Sequence, residues 1–309
     1  MADVVIRAPS EDDAGAIADA LNAHSRQLYG TEDSSSIEVR SWFSLPELDP
    51  AEDMRIAVLA DGTVAAYADL SGGYGTPFRL WLDLRFRPSH EDEAAGLFEA
   101  MEYRARERGG TGALLRAFAP ERDAAAARLF EGAGMRVVRS SYRMVIDLAV
   151  PPAPPVWPDG LGVRTFDPAE GDERVFAAQQ DGFADHWEFH PTSIEEWRHW
   201  TSGHPEHDPA LWFLVEDGDE IAALCLCRQR ETGEPEMGWI NMLTVRLPWR
   251  RLGLARALLL HAFGVFRDLG RRHVGLGVDA ESTTGAVALY ESVGMRVVRR
   301  TDTFEKTLA

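Results

Sequence analysis

Val245-Arg-Leu-Pro-Trp-Arg-Arg-Leu-Gly-Leu-Ala-Arg256 is the stretch on which the reading of this chain turns. It follows residues 237–245, an apolar run that reads as a strand. It opens a segment from about Leu252 to Leu269 in which Leu254, Leu258, Leu259, Ala262, Phe263, Phe266 and Leu269 fall at helical spacing. The first N–H groups of a helix lack intrahelical partners and lie at the positive end of its dipole. Gly253 and Ala255 leave an anion room to approach the backbone, and Arg250, Arg251 and Arg256 add positive charge. Together these features describe a phosphate cradle; the plainer alternative is a basic loop before an ordinary helix.

The surroundings of this patch are acidic. The chain has 309 residues, 50 of them Asp or Glu and 32 Lys or Arg, for a net charge of −18. That sign disfavours phosphate backbones and anionic lipid surfaces, so no nucleic acid and no membrane partner is expected. An anionic ligand must be held by a local patch working against the global field. No apolar run approaches the roughly 18 residues of a membrane span, and the N-terminal MADVVIRAPSEDD lacks the basic-then-apolar pattern of a secretory signal. Cys225 and Cys227, the only cysteines, fall on one face of a strand with no further ligand near them in sequence. They read as core packing, with no disulfide and no metal. The expectation is a cytoplasmic protein.

Outward from the cradle, the chain repeats itself. Gly134-Met-Arg-Val-Val-Arg139 recurs as Gly294-Met-Arg-Val-Val-Arg299, an offset of 160 residues, and Pro88 and Pro248 share that offset. The longer segments 126–139 and 286–299 align in the same register. Several matches in one register indicate a duplicated domain. Between the copies, Pro151-Pro152-Ala153-Pro154-Pro155-Val156-Trp157-Pro158 is stiff and cannot join a sheet interior. The expected organisation is a first domain over 1–150, a Pro-rich linker over 151–160 and a second domain over 161–309.

Within the second half, 162–166, 211–216, 221–227, 237–245 and 273–279 read as strands. Residues 171–186, 193–202, 252–269 and 283–294 read as helices, and two strand-like pieces close the chain. This order implies an α/β (α+β) fold in each half, a mixed and mostly antiparallel sheet flanked by helices, with one parallel crossover pair.

Two motifs resemble the GNAT superfamily of acyl-CoA-dependent N-acyltransferases. That family's pyrophosphate loop, Arg/Gln-x-x-Gly-x-Gly/Ala after its fourth strand, is matched by Arg250-Arg251-Leu252-Gly253-Leu254-Ala255. Its following helix, Asn-x-x-Ala-x-x-Leu-Tyr-x-x-x-Gly-Phe, is matched by Thr283-Thr-Gly-Ala286-Val-Ala-Leu289-Tyr290-Glu-Ser-Val-Gly294-Met295. The resemblance covers the second half, and the two halves together resemble tandem members of the superfamily. It implies acetyl-CoA (coenzyme A) as cosubstrate and no metal. The loop around Arg250, Arg251, Gly253, Ala255 and Arg256 would bind the pyrophosphate, and the backbone at Leu243 and Val245 would pair with the pantetheine arm. Tyr290 would protonate the departing thiolate, a role that suits a phenol facing a thiol. Thr283 stands in the family's Asn slot, where it could cap the helix and touch the coenzyme.

The acceptor side is less defined. Asp185, His186 and His190, between the first two helices of the second half, are the acceptor-binding candidates, since His titrates near neutrality. Glu234 and Glu236 are possible bases, although exposed hairpin carboxylates are the plainer reading; Asn241 cannot act as one. Trp197 and Trp200 read as helix packing.

The first half departs from this pattern. His90, Glu91, Asp92 and Glu93 stand opposite Arg250, Arg251, Leu252 and Gly253, and Phe130 stands opposite Tyr290. Acids at a helix start favour the helix but repel phosphate. The first domain is therefore expected to lack an acyl-CoA cradle. The leading functional reading is an enzyme moving an acetyl group from coenzyme A to a primary amine of a small molecule, as monomer or homodimer. A non-catalytic acyl-CoA sensor or scaffold is the alternative from another class.

Overall fold

A computed structural model describes residues 4–45, 48–75, 77–187 and 189–309. The first three residues of the N-terminal stretch, and Glu188 of the segment between the histidine candidates, lie outside the described residues. The chain divides into two compact units, Met1–Ser141 with Arg300–Ala309, and Tyr142–Arg299.

The strands of the first unit are β1 (Val5–Arg7), β2 (Met54–Val58), β3 (Val64–Tyr74), β4 (Arg79–Phe86) and β5 (Leu114–Pro120). β6 (Arg136–Asp147) starts in this unit and ends in the second; β12 (Arg296–Thr307) does the reverse. The helices here are α1 (Ala14–Tyr29), α2 (Ser36–Trp42), α3 (Pro50–Asp53), α4 (Glu91–Gly109) and α5 (Ala124–Gly132). The sheet runs β1-β2-β3-β4-β5-β12, antiparallel except for the parallel β4–β5 pair. Leu80, Leu82 and Leu84 alternate with the less buried Trp81, Asp83 and Arg85 along β4 and pack with Leu97, Met101 and Phe130 of α4 and α5. Phe130 is fully buried between Phe98, at 6.0 Å, and Phe304 of β12, at 5.5 Å.

The second unit holds β7 (Val163–Thr165), β8 (His207–Asp217), β9 (Glu220–Arg228), β10 (Met237–Val245) and β11 (His273–Asp279). Its helices are α6 (Glu173–Phe183), α7 (Ile194–Trp200), α8 (Leu254–Asp268) and α9 (Ala286–Ser292). The sheet order is β6-β11-β10-β9-β8-β7, with β10–β11 parallel and β7–β8, β8–β9 and β9–β10 antiparallel. β8 and β9 are buried on both faces, which accounts for their unbroken apolar runs. Leu211, Phe213, Val215, Ala223, Cys225 and Cys227 meet the α8 side, while Trp212, Leu214, Leu224 and Leu226 meet the α6–α7 side. Both cysteines are buried there, 3.6 Å apart at sulfur. Trp197 is buried in the α6–α7 layer and Trp200 is exposed.

Three expectations change. The two closing strand pieces are one strand, β12, and its last residues pair with β5 of the first unit, from Thr301↔Pro120 to Thr307↔Leu114. The last ten residues thus leave the expected 161–309 domain. The division also falls at Tyr142, before the Pro-rich run, because Tyr142, Met144 and Leu148 pack into the second core and Leu148 N–H donates to the Arg272 carbonyl. The Pro-rich segment itself carries Trp157 onto that core, edge-on to His261 at 6.2 Å. A half-buried aromatic packed on the core outweighs the run's sequence signature as a free linker.

Candidate active site

The site forms where two strands part. β10 and β11 pair from Met237↔His273 to Ile240↔Leu276 and no further, although β10 runs on to Val245. The register of β10 with β9 shifts between Ile240 and Met242, so Asn241 is an extra residue on β10. A bulge bends a strand and ends its pairing on one side. The edge of β10 from Met242 to Val245 is therefore left without a β11 partner, and Leu243 and Val245 line a cavity of about 360 Å³.

The far wall is the start of α8. After Leu247–Trp249 the chain reverses through Arg251 at φ 68° and Gly253 at φ 89°. A Cβ on Gly253 would meet nothing within 4 Å, so the left-handed backbone, rather than space, requires glycine there. Gly253 is the N-cap and offers no side chain, so the first N–H groups of α8 remain open toward the cavity that Gly253, Ala255 and Arg256 line. The three cradle arginines differ. Arg256 donates to the carbonyl and hydroxyl of Ser292, each at 3.1 Å. Arg250 is paired with Asp185. Arg251 makes no side-chain hydrogen bond or ion pair among the described residues. An open helix N-terminus, an unpartnered guanidinium and an unpaired strand edge on one cavity fit a coenzyme with a pyrophosphate and an amide-bearing arm.

Tyr290, on α9, closes the inner end. It is 8% exposed, and burial, with the nearby Cys225, pushes its pKa up to about 12. The phenol therefore stays protonated throughout the neutral range and is available to donate. Thr283 does not fill the role expected of it. Gly285, left-handed at φ 77°, is the N-cap of α9, and Thr284 rather than Thr283 lines the cavity. The Thr284 hydroxyl is engaged with Ser282 at 2.8 Å.

Of the acceptor-side candidates, His186 alone lines the cavity. Its ring rests on Phe183 at 4.4 Å, and desolvation of that face lowers its pKa, opposed by Asp185 and reinforced by Arg250. The lowered pKa favours the neutral imidazole, which can accept a proton. Both histidines are exposed, and His190 is not among the lining residues. Glu234 and Glu236 are removed from the site. They lie before β10, whereas the cavity is at its other end. Glu234 is held by Arg143 at 2.7 Å and Arg299 at 3.4 Å, and Glu236 pairs with Arg272. Among the described residues no group of three or more His, Cys, Asp or Glu is placed to hold a metal ion, and no helix is long and apolar enough to cross a membrane.

Sequence reasoning missed two features, the bulge at Asn241 and the Asp185–Arg250 pair. Asn241 leaves no pattern in sequence, since a bulge is one residue in an ordinary strand. The pair joins residues 65 apart on different elements.

Comparison with known proteins agrees with this geometry. Residues 145–295 match the Acetyltransferase (GNAT) family. The mycothiol acetyltransferase of Thermobispora bispora is 35% identical over 55% of this chain and 58% of its own length. That of Geodermatophilus obscurus is 32% identical over 77% of each. The crystal structure of a GCN5-related N-acetyltransferase from Sphaerobacter thermophilus superposes with a TM-score of 0.77 and 32% identity, over 99% of this chain and 96% of that one. With its parted strands, its glycine-started helix and these relatives, the chain belongs to the GNAT family of acetyltransferases, which take their acetyl group from acetyl-CoA.

Proposed function

We propose that the second unit transfers an acetyl group from acetyl-CoA to a primary amine of a small molecule without a metal ion. The observation that carries this reading is the convergence of three donors on one cavity: the unpaired edge of β10, the open N-terminus of α8 and the Tyr290 phenol. Arg251, with the N–H groups at the start of α8, meets the pyrophosphate. The β10 backbone at Leu243 and Val245 pairs with the pantetheine amides and polarises the acetyl carbonyl as negative charge develops on its oxygen. The amine nitrogen attacks, the carbon–sulfur bond breaks, and Tyr290 gives its proton to the departing thiolate. A neutral His186 takes the proton that the amine loses.

The relatives' name supports a choice of acceptor. They are named mycothiol acetyltransferases, and the amine of a cysteinyl pseudodisaccharide is the acceptor to test first. The first unit, with acids in place of the cradle, supports the fold rather than binding acyl-CoA. Coenzyme A release measured with acetyl-CoA and a panel of primary amines, that pseudodisaccharide among them, tests the assignment. Turnover with one amine separates an enzyme from a sensor. Acetyl-CoA binding without turnover on any amine would leave the sensor reading standing and remove this one.

A further inference from the structure

Arg250 occupies the first position of the loop and lines the cavity, yet its guanidinium is fully engaged with groups of the protein itself. Its Nη1 and Nη2 donate to the two oxygens of Asp185 at 2.5 and 2.8 Å. Its Nε donates to the Val245 carbonyl at 3.0 Å and its Nη2 also to the Gly182 carbonyl at 3.1 Å. The fork thus ties the end of β10 to the last turn of α6 and to the loop that follows. A planar guanidinium with paired N–H groups is suited to such a bidentate grip, and a lysine is not.

The tie crosses a close approach. A Cβ on Gly182 would fall 2.4 Å from the Thr244 hydroxyl, so α6 meets β10 directly beside the cavity. His186, which lines that cavity, is the next residue after Asp185 and is fixed by its own N–H to the Phe183 carbonyl at 2.8 Å. The neighbouring acid, Asp181, is held by Arg246 at 2.6 Å, which leaves Asp185 as the carboxylate for Arg250.

We propose that the Asp185–Arg250 pair is a brace that holds the loop after α6, and His186 with it, over the amine side of the cavity. Arg250 is then a positioning residue for the acceptor rather than a ligand of the pyrophosphate. The inference rests on the acetyl-transfer reading given above. It has a consequence that a merely structural pair would not have. Asp185 cancels the charge of Arg250 and sets a carboxylate close to where the pyrophosphate binds. Removing that carboxylate frees a cation for the phosphates and slackens the acceptor loop, so the two substrates respond in opposite directions.

The test uses the full chain with Asp185→Asn, measuring acetyl-CoA affinity by calorimetry and steady-state rates with the cysteinyl pseudodisaccharide. Acetyl-CoA is expected to bind about threefold more tightly, in line with the size of one partly exposed ion pair. kcat/KM for the amine is expected to fall about tenfold, the scale of lost positioning. Asp185→Glu restores the amine constant, because a longer carboxylate still reaches the fork. Arg250→Lys, which keeps the charge and loses the fork, lowers the amine constant as Asp185→Asn does. Thermal unfolding shows that each variant is folded. The proposal is overturned if Asp185→Asn weakens both substrates together, or leaves both unchanged. A wild-type chain that binds no acetyl-CoA would instead overturn the acetyl-transfer reading itself, a result visible before any variant is made.

Discussion

The two units contain the same opening in the sheet and have done opposite things with it. In the first, the β4–β5 ladder stops at Leu82↔Ala117 while both strands continue, just as β10–β11 stops at Ile240↔Leu276. Yet β4 has no bulge over its open part, since its register with β3 is unbroken from Ala66↔Phe86 to Gly72↔Leu80. The larger difference lies after the strand. α4 begins at Glu91, opposite Arg251, whereas α8 begins three residues later in register, at Leu254. In the first unit the segment that forms the cradle in the second is wound into helix, with Glu91, Asp92 and Glu93 as its first turn. Those acids complement the helix dipole and stabilise the added turn. Open N–H groups and an added helical turn are alternative uses of the same stretch, and its residues differ at each of the four positions from His90/Arg250 to Glu93/Gly253.

The opening in the first unit, about 280 Å³, has a different chemistry. Asp33, Asp83 and Asp123 line it with Arg85 and His24. Arg85 binds Asp83 at 2.9 Å, and His24 binds Asp123 at 2.6 Å. Asp123 stands where the second unit has Thr283, and its carboxylate accepts from the Ala126 N–H to cap α5. Asp69 lies directly across from Asp83 in the β3–β4 register, and burial with that neighbour raises its pKa to about 7.

Four measurements would break or sharpen this contrast. The largest effect is expected from Phe130→Ala, which empties a fully buried position in the first unit's core. It should cost about 4 kcal/mol of that unit's stability while leaving acetyl-CoA affinity unchanged, as read by denaturant unfolding and calorimetry. Loss of acetyl-CoA binding would show that the units do not divide their work in this way. Next, Gly253→Glu copies Glu93 into the cradle. A left-handed backbone disfavours the side chain and its charge opposes the pyrophosphate, so acetyl-CoA affinity should fall about 100-fold. Normal affinity would mean that the cradle is not the coenzyme site.

Tyr290→Phe copies Phe130. It should lower kcat by about 50-fold with acetyl-CoA affinity retained, within the range for a lost general acid. Unchanged turnover would remove Tyr290 from the mechanism. The smallest effect concerns pH. Asp69 keeps its proton up to about pH 7 in the folded chain and loses it near 4 when unfolded. Between those values the folded state binds more protons, so Asp69 makes the first unit less stable as pH rises. Asp69→Asn should stabilise the chain at pH 8, by an amount that shrinks toward nothing as the pH falls to 4. Equal effects at both would place the gain elsewhere.

Local pattern made much of this visible. β10 and β11 stand where their apolar runs place them, and α8 starts within two residues of its expected position. The difference of the first half at the matching positions is legible from Glu91, Asp92 and Glu93 and from Phe130. The helix at 283–294 instead begins at Ala286, because left-handed Gly285 caps it and Thr283 is left outside. His186 reaches the cavity and His190, four residues on, does not. A spacing argument treats both histidines alike, and only the turn after α6 tells them apart.

Sequence by itself determined the duplication, the strand-to-helix order, the cationic patch in an acidic chain and the family to which it belongs. These rest on periodicity, charge and short motifs, which are local properties of a chain. Tertiary structure decided the rest. It assigned most of the last strand to the first unit, set Glu234 and Glu236 away from the site, and paired Arg250 with Asp185. Each of these is a choice of partner among residues far apart in sequence. Such choices are made by packing and by competition for ion pairs, and neither leaves a mark on a single stretch of chain.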